Sequence, residues 1–325
     1  MYLLQRLSIP TLMLLLSLPA SAASEAKTEL ERCHLEALAA ADNHQTAASI
    51  KRYCEPYEAS KVIERRVSKE QAVRNNPFGI IAHRANYLQP YNYNVRPNDL
   101  ALYGYDLQRP EVKFQFSFKF PIGRPVWNDR VQFYGAYTNQ SWWQAYNSGA
   151  SAPFRETNHE PEIFATIRTD LSLFGFDSAY FQAGFSHQSN GQSGLRSRSW
   201  NRIYAGLILE KERWVVGFKP WIRLPEDAKT SPNDPKGDDN PDIEDFTGHY
   251  ELAVFRRFND KHSLTALIRH NFRSHKGAIQ LGYSYPLNNR FKGYIEVFDG
   301  YAESLIDYNH RNTRIGLGIQ LTGWL

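Results

Sequence analysis

Between residues 114 and 120 the chain reads FQFSFKF, with Phe114, Phe116, Phe118 and Phe120 at every second position and Gln115, Ser117 and Lys119 between them. Side chains of an extended strand point alternately to its two faces. The segment is therefore a ribbon with one apolar and one polar side. The pattern recurs. RIGLGIQL sets Ile315, Leu317, Ile319 and Leu321 opposite Arg314, Gly316, Gly318 and Gln320, and WVVGFKPW groups Trp214, Val216 and Phe218. Similar alternation lies near 79–90, 130–143, 160–171, 179–189, 201–210, 248–257, 263–272, 277–285 and 291–298, which makes about a dozen strands from Pro77 onward. Short linkers such as PLNNR (286–290) join some of them, and long polar ones such as 224–245 join others.

Two architectures accept such ribbons. A soluble sandwich packs the apolar faces against each other, whereas a transmembrane barrel turns them to lipid. The N-terminus favours the second. It reads MYLLQRLSIPTLMLLLSLPASAAS, with a positive charge at Arg6, an apolar run from Thr11 to Leu18 and small residues from Ala20 to Ala23. That is the layout of a secretory signal peptide cleaved after Ala22 or Ala23. Pro10 and Pro19 leave the run short of a membrane span, and no later run reaches the roughly 18 apolar residues of a transmembrane helix. Aromatic residues make up 14% of the chain, and several sit at strand ends, among them Trp142, Trp143, Tyr283, Tyr285 and Trp324. Mean hydropathy is nevertheless −0.54. An apolar outside around a polar inside reconciles the two, and the last strand runs almost to the terminus. The expected fold is all-β, an antiparallel transmembrane β-barrel in the outer membrane of a Gram-negative bacterium.

The expected organisation is a signal peptide at 1–23, an appended segment at 24–74 and the barrel at 75–325. The middle segment is rich in Ala, Glu, Lys and Arg, and reads as helical or partly disordered, periplasmic or plug-like. It holds the two cysteines, Cys33 and Cys54, for which an oxidising compartment predicts a disulfide that is dispensable for catalysis. A net charge of +4 with scattered, matched basic residues gives no nucleic-acid signal. The ten histidines show no zinc spacing, and no glycine loop suited to phosphate is present.

One strand breaks its own pattern. In FQAGFSHQSNGQSGLRSRSWNRIYAGLIL (181–209), the face of Phe181, Ala183 and Phe185 continues with His187 and Ser189. The opposite face, Gln182, Gly184, Ser186, Gln188 and Asn190, is polar throughout or lacks a side chain. After a loop, Asn201 shares the apolar face of the next strand with Ile203, Ala205, Leu207 and Leu209. Polar groups on a lipid face are expensive and point to function. Histidine is the base tuned to neutral pH that activates a serine hydroxyl, and an amide carbonyl can hold the other ring hydrogen and fix the tautomer. Asn190-Gly191 allows a tight turn that could aim an N–H at a developing oxyanion.

The stretch HQSNGQSGLRSRSWNR resembles the signature of the outer membrane phospholipase A family. NPFGIIAHRANY, EVKFQFSFKFP, SWWQAYNSGASAPFRETNHEPEIF, DDNPDI and GYAESLIDYNHRNTRIGLG agree with it in order over nearly all of 75–325, though the 224–237 loop looks longer than the family's usual one. The resemblance implies a twelve-stranded barrel that hydrolyses acyl esters of phospholipids and lysophospholipids in a calcium-dependent way, with A1 and A2 activity. It makes Ser189 the nucleophile, His187 the base and Asn201 its orienting partner. It also implies calcium held by the Gln192 carbonyl, the Ser197 hydroxyl and Ser151 of a second subunit, with a further position at Asp239. The active form would be a homodimer, bridged within the membrane through Asn139. The competing expectation is a non-enzymatic outer-membrane barrel, a pore or an adhesin, in which His187 and Ser189 are incidental.

Overall fold

The computed structural model describes residues 79–323 except 99–102, 170, 232–233, 235, 259–261 and 289–290, together with Leu35, Leu38, Val62, Ile63, Arg66 and Glu70. The expected signal peptide, the Cys33–Cys54 pair and Trp324 lie outside the described residues.

Thirteen strands follow in chain order: β1 (Ile81–Ala82), β2 (Asn86–Asn94), β3 (Pro110–Val126), β4 (Val131–Trp143), β5 (Phe154–Arg168), β6 (Ser178–Ser189), β7 (Ser199–Lys211), β8 (Trp214–Leu224), β9 (Tyr250–Arg257), β10 (Ser263–Asn271), β11 (Lys276–Pro286), β12 (Lys292–Gly300) and β13 (Asn312–Thr322). From β2 to β13 each strand pairs antiparallel with the next, and β13 returns to β2, with Arg314 opposite Asn94. This is a closed barrel of twelve strands without a free sheet edge, which is what a membrane requires of a sheet. The two-residue β1 lies beside β3 further down, with Ile81 opposite Lys119. One helical turn, α1 (Ile243–Thr247), sits in the β8–β9 loop. Tight turns such as 127–130 and 212–213 close one end, and the long loops 95–109, 144–153, 190–198, 225–249 and 301–311 gather at the other.

The alternation read from the sequence is the inside and outside of this wall. Phe116 is 55% exposed and Ile222 73%, and Ile163, Ile203, Ile315 and Leu317 also face outward, while Lys113, Ser117 and Lys119 face inward and are buried. So continuous an apolar belt suits lipid rather than water.

Three expectations need correction. The strand placed at 79–90 is two, β1 and β2, and β2 runs on to Asn94. The strand placed at 160–171 begins at Phe154, six residues earlier than its apolar alternation shows. Its first half turns Arg155, Asn158 and Glu160 into the polar interior, so hydrophobicity could not reveal it. Trp142 is not a membrane-boundary aromatic. Neighbours on a strand point opposite ways, and Trp142 is the inward one, fully buried, its indole N–H donating to Glu303 Oε1 at 3.2 Å beneath the Lys113 ammonium.

The loop-side half of the barrel is filled by a charge network. Glu111 accepts from Arg155 Nε at 2.6 Å and Gln144 Nε2 at 2.7 Å and pairs with Arg314, while Lys113 lies 2.7 Å from Glu296 and 3.2 Å from Glu303. Removing one member of a buried ion cluster leaves charge without compensation. Glu111→Ala should therefore destabilise the barrel by about 3 kcal/mol, read as a lower urea midpoint for loss of the compact, heat-modifiable form.

At the short-turn end, Val62 and Ile63 pack against Tyr180, Val215 and Phe255. Both backbone N–H groups donate to the Glu210 carboxylate, that of Ile63 at 2.6 Å. Glu70 meets Lys119 at 3.0 Å, and Ile63, Arg66 and Glu70 line an interior cavity of about 340 Å³. Val62, Ile63, Arg66 and Glu70 thus lie inside the barrel at its short-turn end.

Candidate functional site

His187 and Ser189 are the last outward residues of β6 before the 190–198 loop, and Asn201 follows Ser199 among the outward residues of β7. Strand register sets His187 directly opposite Asn201 and Ser189 opposite Ser199. All three are half-buried. The ring atom His187 Nδ1 is 2.9 Å from Asn201 Oδ1. An amide oxygen only accepts, so Nδ1 donates, and the neutral ring keeps its lone pair on Nε2. The amide is itself anchored, because Asn201 Nδ2 donates to Glu226 Oε1 at 3.0 Å. Here β7 meets β8, with Asn201 opposite Leu224, two residues before Glu226.

The loop after Ser189 is pinned by one buried side chain. Asn190 Oδ1 accepts from the N–H groups of Gln192 (3.2 Å) and Arg198 (3.0 Å), and its Nδ2 donates to the Arg196 carbonyl (2.8 Å). Gly191 adopts φ +64°, a conformation L side chains resist, so the tight turn read from Asn190-Gly191 is present.

A second cluster forms where this loop meets the β8–β9 loop. Ser197 Oγ donates to Asp239 Oδ2 at 2.8 Å and Ser199 Oγ to the same atom at 3.2 Å, while the Lys229 ammonium rests on Asp239 Oδ1. DDNPDI is also the Asx-type turn its composition suggests, Asp238 Oδ1 accepting from the Asn240 N–H at 2.9 Å. Asn240 ties the turn to the barrel by accepting from the Ser199 N–H at 3.1 Å. Ser197 and Asp239 are therefore brought together. Gln192 is exposed on the loop that carries Ser197. Ser151 is exposed on the 144–153 loop at φ +59° and shares no hydrogen bond with Ser197 or Asp239 among the described residues. Hydroxyl, carboxylate and carbonyl oxygens form the donor set a hard cation takes, so these residues fit calcium chemistry.

Two residues of the site escaped the sequence reading. Asn139, His159, Ser189 and Ser199 form one outward row across β4 to β7, in direct register. Tyr137 Oη lies 2.6 Å from His159 Nδ1, and Asn139 Nδ2 is 3.5 Å from the same atom. His159 was legible in principle, since it shares a face with Ile163 two steps on. Glu226 was not, because it stands in a loop without periodicity.

The fold defines the class: an outer-membrane β-barrel, here with a polar patch of serine, histidine and asparagine set into its lipid-facing wall. The phospholipase A1 family model matches residues 63–321. A phospholipase A1 of Klebsiella pneumoniae is 39% identical over 251 residues, 76% of this chain and 84% of that one. A putative phospholipase A1 of Neisseria meningitidis is 40% identical over 257 residues, 74% of this chain and 65% of that one. Among solved structures, outer membrane phospholipase A of Escherichia coli is similar with a TM-score of 0.69 at 37% identity, covering 76% of this chain and 100% of that one. The Salmonella typhi outer membrane phospholipase, a dimer with bound calcium, gives 0.69 at 37% identity, covering 77% of this chain and 94% of that one. The chain belongs to the phospholipase A1 family.

Proposed function

We propose that this protein is a calcium-dependent outer-membrane phospholipase that hydrolyses acyl esters of phospholipids and lysophospholipids at both A1 and A2 positions. The observation that carries the proposal is the Asn201–His187 hydrogen bond on the lipid-facing wall, two residues along the strand from Ser189. With Nδ1–H held by Asn201, His187 Nε2 accepts the Ser189 proton as the hydroxyl oxygen attacks the ester carbonyl. The imidazolium then returns that proton to the departing glycerol oxygen, leaving an acyl-serine. Water, activated by the same nitrogen, releases the fatty acid and restores Ser189. The turn commits the Asn190 N–H to the Arg198 carbonyl and the Gln192 N–H to Asn190 Oδ1, so the Gly191 N–H would be the donor offered to the oxyanion.

Ser197, the Gln192 carbonyl and Asp239 would hold calcium, with Ser151 contributed by a second copy. Bound there, the ion supplies positive charge that polarises the ester oxygen. The homodimer is supported by the Asn139–His159–Ser189 row, a polar strip costly to leave in lipid. The fully buried Lys113, Arg155 and Arg314 inside the barrel speak against an open pore.

Acyl release by refolded protein from mixed micelles of diacyl phospholipid and lysophospholipid tests the proposal, with regiochemistry read by labelling each acyl chain. Fatty acid should appear from both substrates. Protein that is correctly folded, loaded with calcium and still inert towards both would leave the adhesin or pore reading standing.

A further inference from the structure

The Asn201 amide does not stand alone. Its oxygen serves His187 and its nitrogen donates to Glu226 Oε1 at 3.0 Å, so the hydrogen bonds run from Glu226 through Asn201 to His187, with Ser189 two residues along the strand. We infer that Glu226 is a positioning residue of the hydrolase, acting through Asn201. An asparagine amide can turn about its last bond and offer either end to the imidazole. Turned the wrong way, it would present N–H groups to Nδ1 and favour the tautomer whose Nε2 bears the hydrogen, which cannot take a proton from serine. A carboxylate accepts and does not donate, so Glu226 binds only the nitrogen end of the amide and leaves the oxygen facing His187. Glu226 comes from the β8–β9 loop, the same loop that brings Asp239 to Ser197, so one segment braces both halves of the site.

This inference rests on the Ser189–His187–Asn201 reading, and the experiment separates the two. Glu226→Ala should lower kcat about fivefold with KM unchanged, the loss of one orienting hydrogen bond. Glu226→Gln, which keeps a carbonyl oxygen in place, should recover most of the rate. In an Asn201→Ala background, Glu226→Ala should cost nothing further, because its only route to the imidazole is gone. Each variant is checked for the heat-modifiable folded form. Full kcat in Glu226→Ala, a Glu226→Gln as slow as Glu226→Ala, or an undiminished loss in the Asn201→Ala background each overturns the role of Glu226. If Ser189→Ala retained activity, the triad reading itself would fall.

Discussion

Ser189→Ala is expected to reduce acyl release by at least about a thousandfold, the loss typical of a nucleophile removed from a triad, while the barrel still folds. The second half of that expectation follows from where the residue sits. β6 is held to β5 and β7 by backbone pairing, and the alcohol at its end carries no part of that ladder. His187→Ala should cost about as much, and the double variant little more, because nucleophile and base act as one unit. Asn201→Ala should be milder, about tenfold, since it orients the ring without exchanging protons. Initial rates on mixed micelles, beside unheated gel mobility as the measure of folding, check all four proteins. A folded Ser189→Ala that hydrolyses at the parent rate would remove Ser189 from the mechanism.

Removing calcium with a chelator is the second large effect, expected to lower hydrolysis by about two orders of magnitude, in keeping with the several kcal/mol a metal ion contributes to a developing charge. The dimer fraction should fall with it. If Ser151 of one copy completes the oxygen set formed by Ser197 and the Gln192 carbonyl of the other, metal and dimer are linked, and each must strengthen the other. Chemical cross-linking in detergent reads this without reference to rate. Calcium and a bound acyl analogue should raise the cross-linked fraction together, and Ser151→Ala should weaken the response. Calcium-dependent activity in a protein that remains monomeric throughout would separate the two and sink the linked form. The Lys229 ammonium bears on the same site. It already rests on Asp239, so a cation entering at that carboxylate has to displace it.

About a dozen strands and the chemistry of the lipid face were written in alternation, because a strand between two solvents must change side-chain class at every step, while the choice of barrel over sandwich rested on the N-terminus and the composition. His187, Ser189 and Asn201 were legible for the same reason, as polar residues on a face otherwise apolar. That signal failed wherever the contrast vanished. The start of β5 faces a polar interior with Arg155, Asn158 and Glu160 and reads as loop, while Trp142 looked like a boundary aromatic because composition does not say which of two neighbouring tryptophans turns inward. What only the tertiary structure decided lies between strands and loops distant in sequence. It set His159 between Asn139 and Ser189, brought Asp239 to Ser197 across 42 positions, and placed Glu226 against Asn201. Period-two patterning reports the face a residue takes on its own strand. The neighbour it meets is set by register and loop closure, and those come from the pairing of the whole barrel.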